Sequence, residues 1–310
     1  MKIRRILCPT DFSEFSDRAL EHAVAHARWA EAELTLLHVN PFFLPTGGGA
    51  PYTPFTSYGV PADGETRAQL LGALQAAARP VRAAGLEPKV ILLEGDPSDE
   101  ILRQAHTTAT DLIVMGTHGL RGFDRWLLGS VANRVAHRAP CSVLTVPRPP
   151  EDAPARSGAL YERIVCAVDL SEGQPIIESA VAIGRAADAP VTVLHVLQDL
   201  PEHEAAARLA RLDWPGFQRS LEAQARDRLA DAVATCPARG ARVDQAVISG
   251  RPYREILKRA ASSEATLVVI GIHGKNPLER LFFGSTALQV LRQAACPVLT
   301  VRLADGARSS

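Results

Sequence analysis

This chain is written twice. Asp111–Gly119 (DLIVMGTHG) aligns with Thr266–Gly274 (TLVVIGIHG) at an offset of 155 residues, and Ala139–Val146 aligns with Ala294–Val301 at the same offset. Ile6–Asp11 aligns with Ile164–Asp169 at 158, and Leu37–Val39 with Leu194–Val196 at 157. An offset this constant over half the chain marks a duplication, so the fold of one half is repeated by the other. The seam falls in Pro147–Gly158, a polar stretch with prolines at 147, 149, 150 and 154. Such a composition reads as an extended, semi-rigid linker. The expected plan is a first domain over 1–147, a linker over 148–159, a second domain over 160–303 and a polar tail over 304–310.

Within each half, strand-type runs alternate with helical spacing. In the first, strands are expected at 2–8, 34–39, 88–93, 111–115 and 142–146. Helices are expected at 17–32, where Ala19, Leu20, Ala23, Val24 and Ala27 repeat at helical spacing, and at 67–84, 98–106 and 130–138. Gly85 is a natural helix stop. Continuous apolar strands separated by helices indicate a parallel sheet covered on both faces. The fold class is therefore α/β: two tandem doubly wound domains.

Composition narrows the function. Lys+Arg and Asp+Glu both count 34, so the chain has no net field to gather nucleic acid or an acidic membrane. No apolar run reaches the roughly 18 residues of a membrane span. The apolar stretch after Arg4-Arg5 stops at Pro9, which is short for a signal peptide, so a cytoplasmic protein is expected. The five cysteines form no CxxC pair and read as small buried hydrophobes in a reduced compartment.

In doubly wound sheets ligands sit beyond the carboxyl ends of the strands, where strand order reverses. There the chain carries Gly116-x2-Gly119-x9-Gly129-Ser130, repeated as Gly271-x2-Gly274-x9-Gly284-Ser285. Glycines let consecutive amides face one concavity, and a helix opening at Gly129-Ser130 offers free amides to a phosphate. The loops add Arg121 and Arg125, or Lys275 and Arg280. The competing reading is that the glycines only make turns, with Ser130 as a helix cap.

This motif after a strand, with an aspartate closing strand one, resembles the ATP-binding class of universal stress proteins over nearly the whole chain, twice. The resemblance implies five parallel strands per domain in the order 3-2-1-4-5, with ATP, accompanied by Mg2+, at the reversal. Pro9, Thr10 and Asp11 would flank the adenosine, with Asp11 a hydrogen-bond acceptor for it or a contact to metal, Val39 would offer backbone groups to adenine, and Gly116, His118, Gly119, Gly129, Ser130 and Val131 would hold the phosphates. The second set is Asp169, Val196, Gly271, His273, Gly274, Gly284, Ser285 and Thr286. It departs at Ala167-Val168 in place of Pro9-Thr10, at Pro277 in place of Gly122 and at Thr286 in place of Val131. The family also implies pairing of the last strands of the two domains with each other, and leaves room for a homodimer and an unidentified protein partner.

Other residues are weighed on their own. His38 and His195 end strand two and read as satisfied core residues. His22 and His26, four apart on the first helix, lack the third ligand that a zinc site wants. Ser13 and Ser171 read as helix caps. The aromatic-rich stretch 41–64 is a long loop, readable as a lid, a partner surface or an insert. No P-loop, Walker-type acidic residue, nameable arginine finger or obvious water-activating group appears, so no catalytic residue is named. Three functions stay open: an ATP-binding stress or signalling protein, an interaction scaffold with vestigial sites, and a slow ATP hydrolase using His118 or Asp11.

Overall fold

The computed structural model describes residues 3–41, 63–117, 128–148, 160–171, 173–198, 214–236, 240–272 and 284–302. The chain divides into two compact units, Lys2–Arg148 and Pro149–Ser310.

The first unit contains β1 (Arg5–Pro9), α1 (Glu14–Ala30), β2 (Glu33–Pro41), α2 (Gly64–Ala77), α3 (Arg79–Ala83), β3 (Lys89–Gly95), α4 (Pro97–Thr107), β4 (Leu112–Gly116), α5 (Ser130–Arg138) and β5 (Ser142–Val146). Its strands run parallel in the order β3-β2-β1-β4-β5, so the sheet reverses between β1 and β4. A one-residue slip would turn every side chain to the opposite face and against different packing partners. Ile6 stands opposite Leu34 on one side and Leu112 on the other. One face packs Leu7, Leu37, Ile113, Met115 and Val143 against Ile101 and Ala105 of α4 and Ala132 and Val135 of α5. The alternate residues Ile6, Cys8, Leu36, Val114 and Leu144 are equally buried. Since side chains alternate along a strand, they point to the other face, and α1 packs on the sheet. Each such Leu or Ile contributes about 1.5–3 kcal/mol on burial.

The second unit repeats the plan with β6 (Ile164–Ala167), α6 (Gln174–Ala187), β7 (Val191–Gln198), α7 (Trp214–Ala234), β8 (Val243–Gly250), α8 (Pro252–Ser262), β9 (Leu267–Gly271), α9 (Ser285–Gln293) and β10 (Val298–Val301). Its order is β8-β7-β6-β9-β10, again parallel and again reversed beside the first strand.

Two local expectations are corrected. The helix anticipated over 67–84 is two helices joined at Ala78. Pro80 has no amide hydrogen, and its ring would strike the carbonyl of Ala76 in a continuous helix. That carbonyl instead accepts from the Arg79 side chain at 3.3 Å. Gly85, at φ 82°, ends the second helix as expected. Ser171 does not cap α6: the cap position is Gly173, which has no side chain to offer. Ser13 does cap α1, accepting from the Ser16 amide at 3.3 Å. Of the aromatic-rich stretch 41–64, residues 42–62, with Phe42, Phe43, Tyr52, Phe55 and Tyr58, lie outside the described residues.

Candidate functional site

In the first unit β1 ends in a turn that is hydrogen-bonded throughout. The Thr10 amide donates to the Leu37 carbonyl at 2.8 Å. The Thr10 carbonyl accepts from His38 Nδ1 at 2.8 Å, which fixes the proton of a neutral His38 on that nitrogen. Burial holds the His38 pKa below its ordinary value, with Thr10 and Asp11 opposing the shift. Phe12, in the left-handed region at φ 62°, lays its ring 4.3 Å from the imidazole, centroid to centroid. The Thr10 hydroxyl is buried; it donates to Ser16 Oγ at 2.9 Å and accepts from the Phe12 amide at 3.1 Å. Ser16 Oγ in turn donates to the Ser13 carbonyl at 2.8 Å.

Asp11 lies at the centre of this turn. Its Oδ1 accepts from the Ser13 amide at 3.1 Å and from Ser13 Oγ at 2.5 Å. The half-buried carboxylate is thereby held in one orientation at the carboxyl edge of the sheet.

One strand away, β4 ends at Gly116. A Cβ there would stand 3.1 Å from Phe15 Cβ and 3.2 Å from the Phe15 backbone carbon and oxygen, so the first turn of α1 passes close over the strand end. The next residue, Thr117, donates from its amide to the Val146 carbonyl at 3.0 Å, and its carbonyl accepts from the Gly129 amide at 2.7 Å. Gly129 is the N-cap of α5 and supplies no side-chain acceptor. Among the described residues the opening amides of α5 therefore have no side-chain cap, which is the arrangement that suits an anion. Ser130 is exposed and Val131 half-buried at that opening. Ser130 is thus the first helical residue and not its cap. Pro9 is half-buried beside the turn, and Val39, buried, lies opposite Leu93 of β3, two residues before the end of β2, which runs past the expected stop at 39.

The second unit rebuilds most of this. The Val168 amide donates to the Leu194 carbonyl at 2.9 Å, and the Val168 carbonyl accepts from His195 Nδ1 at 2.9 Å. Asp169 Oδ1 accepts from the Ser171 amide at 3.1 Å and from Ser171 Oγ at 2.9 Å. The Ile272 amide donates to the Val301 carbonyl at 3.3 Å, and the Ile272 carbonyl accepts from the Gly284 amide at 3.0 Å. Gly284 caps α9 without a side chain, leaving Ser285 exposed and Thr286 half-buried at an open helix start. A Cβ on Gly271 would meet only the end of a side chain, Ile176 Cδ1 at 2.6 Å. Val196 is half-buried on β7.

The two copies differ at the turn. Val168 has no hydroxyl, Gln174 stands where the first unit has Ser16, and α6 begins at Gln174 instead of at the counterpart of Glu14. Asp169 is exposed where Asp11 is half-buried.

The structure thus gathers Pro9, Thr10, Asp11, Val39, Gly116, Gly129, Ser130 and Val131 at one sheet edge, and their counterparts at the other unit's edge. His118, Gly119, His273 and Gly274 lie outside the described residues, as do the loop cations Arg121, Arg125, Lys275 and Arg280. Sequence reasoning missed Phe15, Ser16 and Thr117. It read His38 and His195 as satisfied core residues, and both do bond a backbone carbonyl; their further part in pinning the strand-one turn was signalled by their recurrence in the repeated Leu-His-Val. Among the described residues no group of three or more His, Cys, Asp or Glu side chains could hold a metal ion, and no helix is long and apolar enough to cross a membrane.

Comparison with known proteins agrees with this geometry. A universal stress protein of Methanocaldococcus jannaschii is 36% identical over 156 residues, covering 48% of this chain and 85% of that protein. One from Mycobacterium tuberculosis is 27% identical over 302 residues, 96% of either chain. The crystal structure of a universal stress protein from Archaeoglobus fulgidus, 23% identical, superposes with a TM-score of 0.64 over 97% of this chain and 99% of its own, a likeness of fold. The profile of the universal stress protein family matches residues 2–147 and again 160–302, so the chain belongs to that family, with one family unit in each half.

Proposed function

We propose that each unit binds an adenine nucleotide, ATP foremost, at the carboxyl edge of its sheet, and that occupancy governs interaction with a protein partner in a stress response. The observation that carries this reading is the same pair of features built twice: an aspartate locked by the serine two residues on, and, one strand away, a glycine-led helix whose opening amides have no side-chain cap. A fixed carboxylate is a directional acceptor for a nucleoside, and open helix amides take phosphate.

In this assignment Asp11 and Asp169 accept from the nucleoside, with Pro9 and Thr10 beside the first. Val39 and Val196 offer backbone groups to the base. Gly116, Gly129, Ser130 and Val131, with Gly271, Gly284, Ser285 and Thr286, surround the phosphates, and His118, Gly119, His273 and Gly274 complete the two loops. A Mg2+ ion held by one carboxylate and the ligand's own phosphates needs no larger acidic cluster. The units act as two domains, 1–147 and 160–303, joined by the linker 148–159.

The test is isothermal titration of the full chain with ATP and Mg2+, after assay for co-purified nucleotide, beside Gly116→Val and Gly271→Val. Saturable binding that falls in the variants supports the cradles and counts the working ones. Absence of both binding and retained nucleotide would replace this reading with a scaffold that works without ligand.

A further inference from the structure

The two cradles have different electrostatic surroundings. In the first unit, β3 ends at Gly95, φ 146°, and α4 opens with Asp96 and Asp99. Both are paired to α5, the helix that starts at the cradle: Arg134 Nη1 lies 3.2 Å from Asp96 Oδ1 and 2.8 Å from Ser98 Oγ, and Arg138 Nη1 lies 3.7 Å from Asp99 Oδ1. These contacts put the β3–α4 corner within one arginine's reach of α5, and their charges cancel.

The second unit has the same corner with the signs changed. Gly250, φ 148°, ends β8, and Arg251 and Arg254 occupy the positions of Asp96 and Asp99. On α9 the counterparts of Arg134 and Arg138 are Gln289 and Gln293, which bond each other at 2.7 Å. Arg254 turns its Nε to the Tyr253 hydroxyl at 3.0 Å and its guanidinium over that ring, 5.8 Å from the centroid. Among the described residues neither Arg251 nor Arg254 has a carboxylate partner; Lys258, one turn on, is 3.9 Å from Glu255. Where the first unit pairs acids of this corner with arginines of α5, the second has at the same corner, among the described residues, two exposed arginines with no carboxylate partner, at the start of the helix α8 that packs against α9.

We infer that the two cradles are tuned to different nucleotides: the first reads the nucleoside, through the rigid Asp11 turn, and the second reads phosphate charge, favouring the more highly phosphorylated ligand. This rests on the nucleotide reading above. Asp169 is held by Ser171 as Asp11 is by Ser13 but is more exposed, so competing water gives the second site less hold on the nucleoside, while Arg251 and Arg254 give it a positive field that grows in effect with each phosphate.

The experiment titrates AMP and ATP, without divalent metal, into the full-length Gly116→Val chain, which reports the second cradle, and the Gly271→Val chain, which reports the first. The ATP-to-AMP affinity ratio is expected to be about tenfold larger for the second cradle and to shrink faster with added salt. Arg251→Asp/Arg254→Asp, at exposed positions, should bring the second ratio down to the first. Should either glycine variant fail to fold by circular dichroism, the arginine pair is reversed in the otherwise unaltered chain, where ATP affinity must fall and AMP affinity must hold. Equal ratios, a ratio indifferent to charge reversal, or failure of metal-free ATP to enter the second cradle overturns the inference and leaves the nucleotide reading standing. Absence of binding even with Mg2+ overturns both.

Discussion

His38 Nδ1 donates to the carbonyl of Thr10 across 2.8 Å, tying the end of β2 to the turn that presents Asp11. The bond needs the ring only at Nδ1, so an amide side chain of similar reach keeps part of it and an aliphatic one does not. His38→Leu should leave the sheet intact, by far-ultraviolet circular dichroism, while loosening the Asp11 turn and weakening nucleotide binding at the first cradle several-fold. His38→Asn should recover part of the loss. Unchanged affinity in His38→Leu would show that the turn holds without the ring.

Ser13 caps α1 and locks Asp11, whereas Ser171 locks Asp169 but caps nothing. Ser13→Ala should therefore cost about 1 kcal/mol of stability, as cap losses do, and Ser171→Ala distinctly less. Urea denaturation of the two variants side by side makes the comparison. Equal losses would mean that capping is not the source of the difference.

The two strand-end glycines differ in what surrounds them. A methyl group on Gly116 presses on the Phe15 backbone, which has to move, while one on Gly271 presses on the tip of Ile176, which can rotate away. Gly116→Ala should lower the melting temperature by an amount equivalent to about 1–3 kcal/mol, and Gly271→Ala by less than about 1 kcal/mol. The reverse order would contradict the packing described here.

His26 is buried on α1, and burial pushes its pKa down to about 4 from 6.5. The unfolded chain therefore binds the proton more readily than the folded one between these values. Stability from this residue is complete above pH 6.5 and is lost progressively as the pH falls toward 4, by up to about 3 kcal/mol. Chemical denaturation at pH 7.5, 6 and 5 should show the decline, and His26→Gln should flatten it. A parallel decline in the variant would assign the effect to other groups.

Burial raises the thiol pKa of Cys8 to about 12 and raises that of Cys166 as well, whereas Cys296 is only half-buried. With a thiol reagent at pH 8 the native chain should label first at Cys296, and Cys8 and Cys166 should react only after denaturation. Rapid native labelling of Cys8 would mean that β1 opens far more readily than its packing suggests.

Much of the fold could be read from the residues because both signals it depends on, repetition and apolar periodicity, are local. Strand positions such as Asp111–Met115 and Ser142–Val146 agree with β4 and β5 to within a residue. What escaped was decided by contacts between distant segments. The stripe on α1 was read as Ala19, Leu20, Ala23, Val24 and Ala27, yet the buried face includes His22 and His26 in preference to the half-buried Val24. Nothing in the helix itself announces that two imidazoles face inward. The two serines after the aspartates look alike in sequence, and only the later start of α6, set by Gly173 and Gln174, separates their roles. At the candidate site, Phe15 could not be found from spacing, because its importance is its nearness to Gly116 from a hundred residues away.

Thr117 spans a short mechanical path. Its amide holds the last residue of β5 and its carbonyl holds the residue that opens α5, and Ile272 does the same between Val301 and Gly284. On the reading proposed above, a phosphate at the start of α5 would therefore bear, through this one residue, on Val146, the last residue of β5.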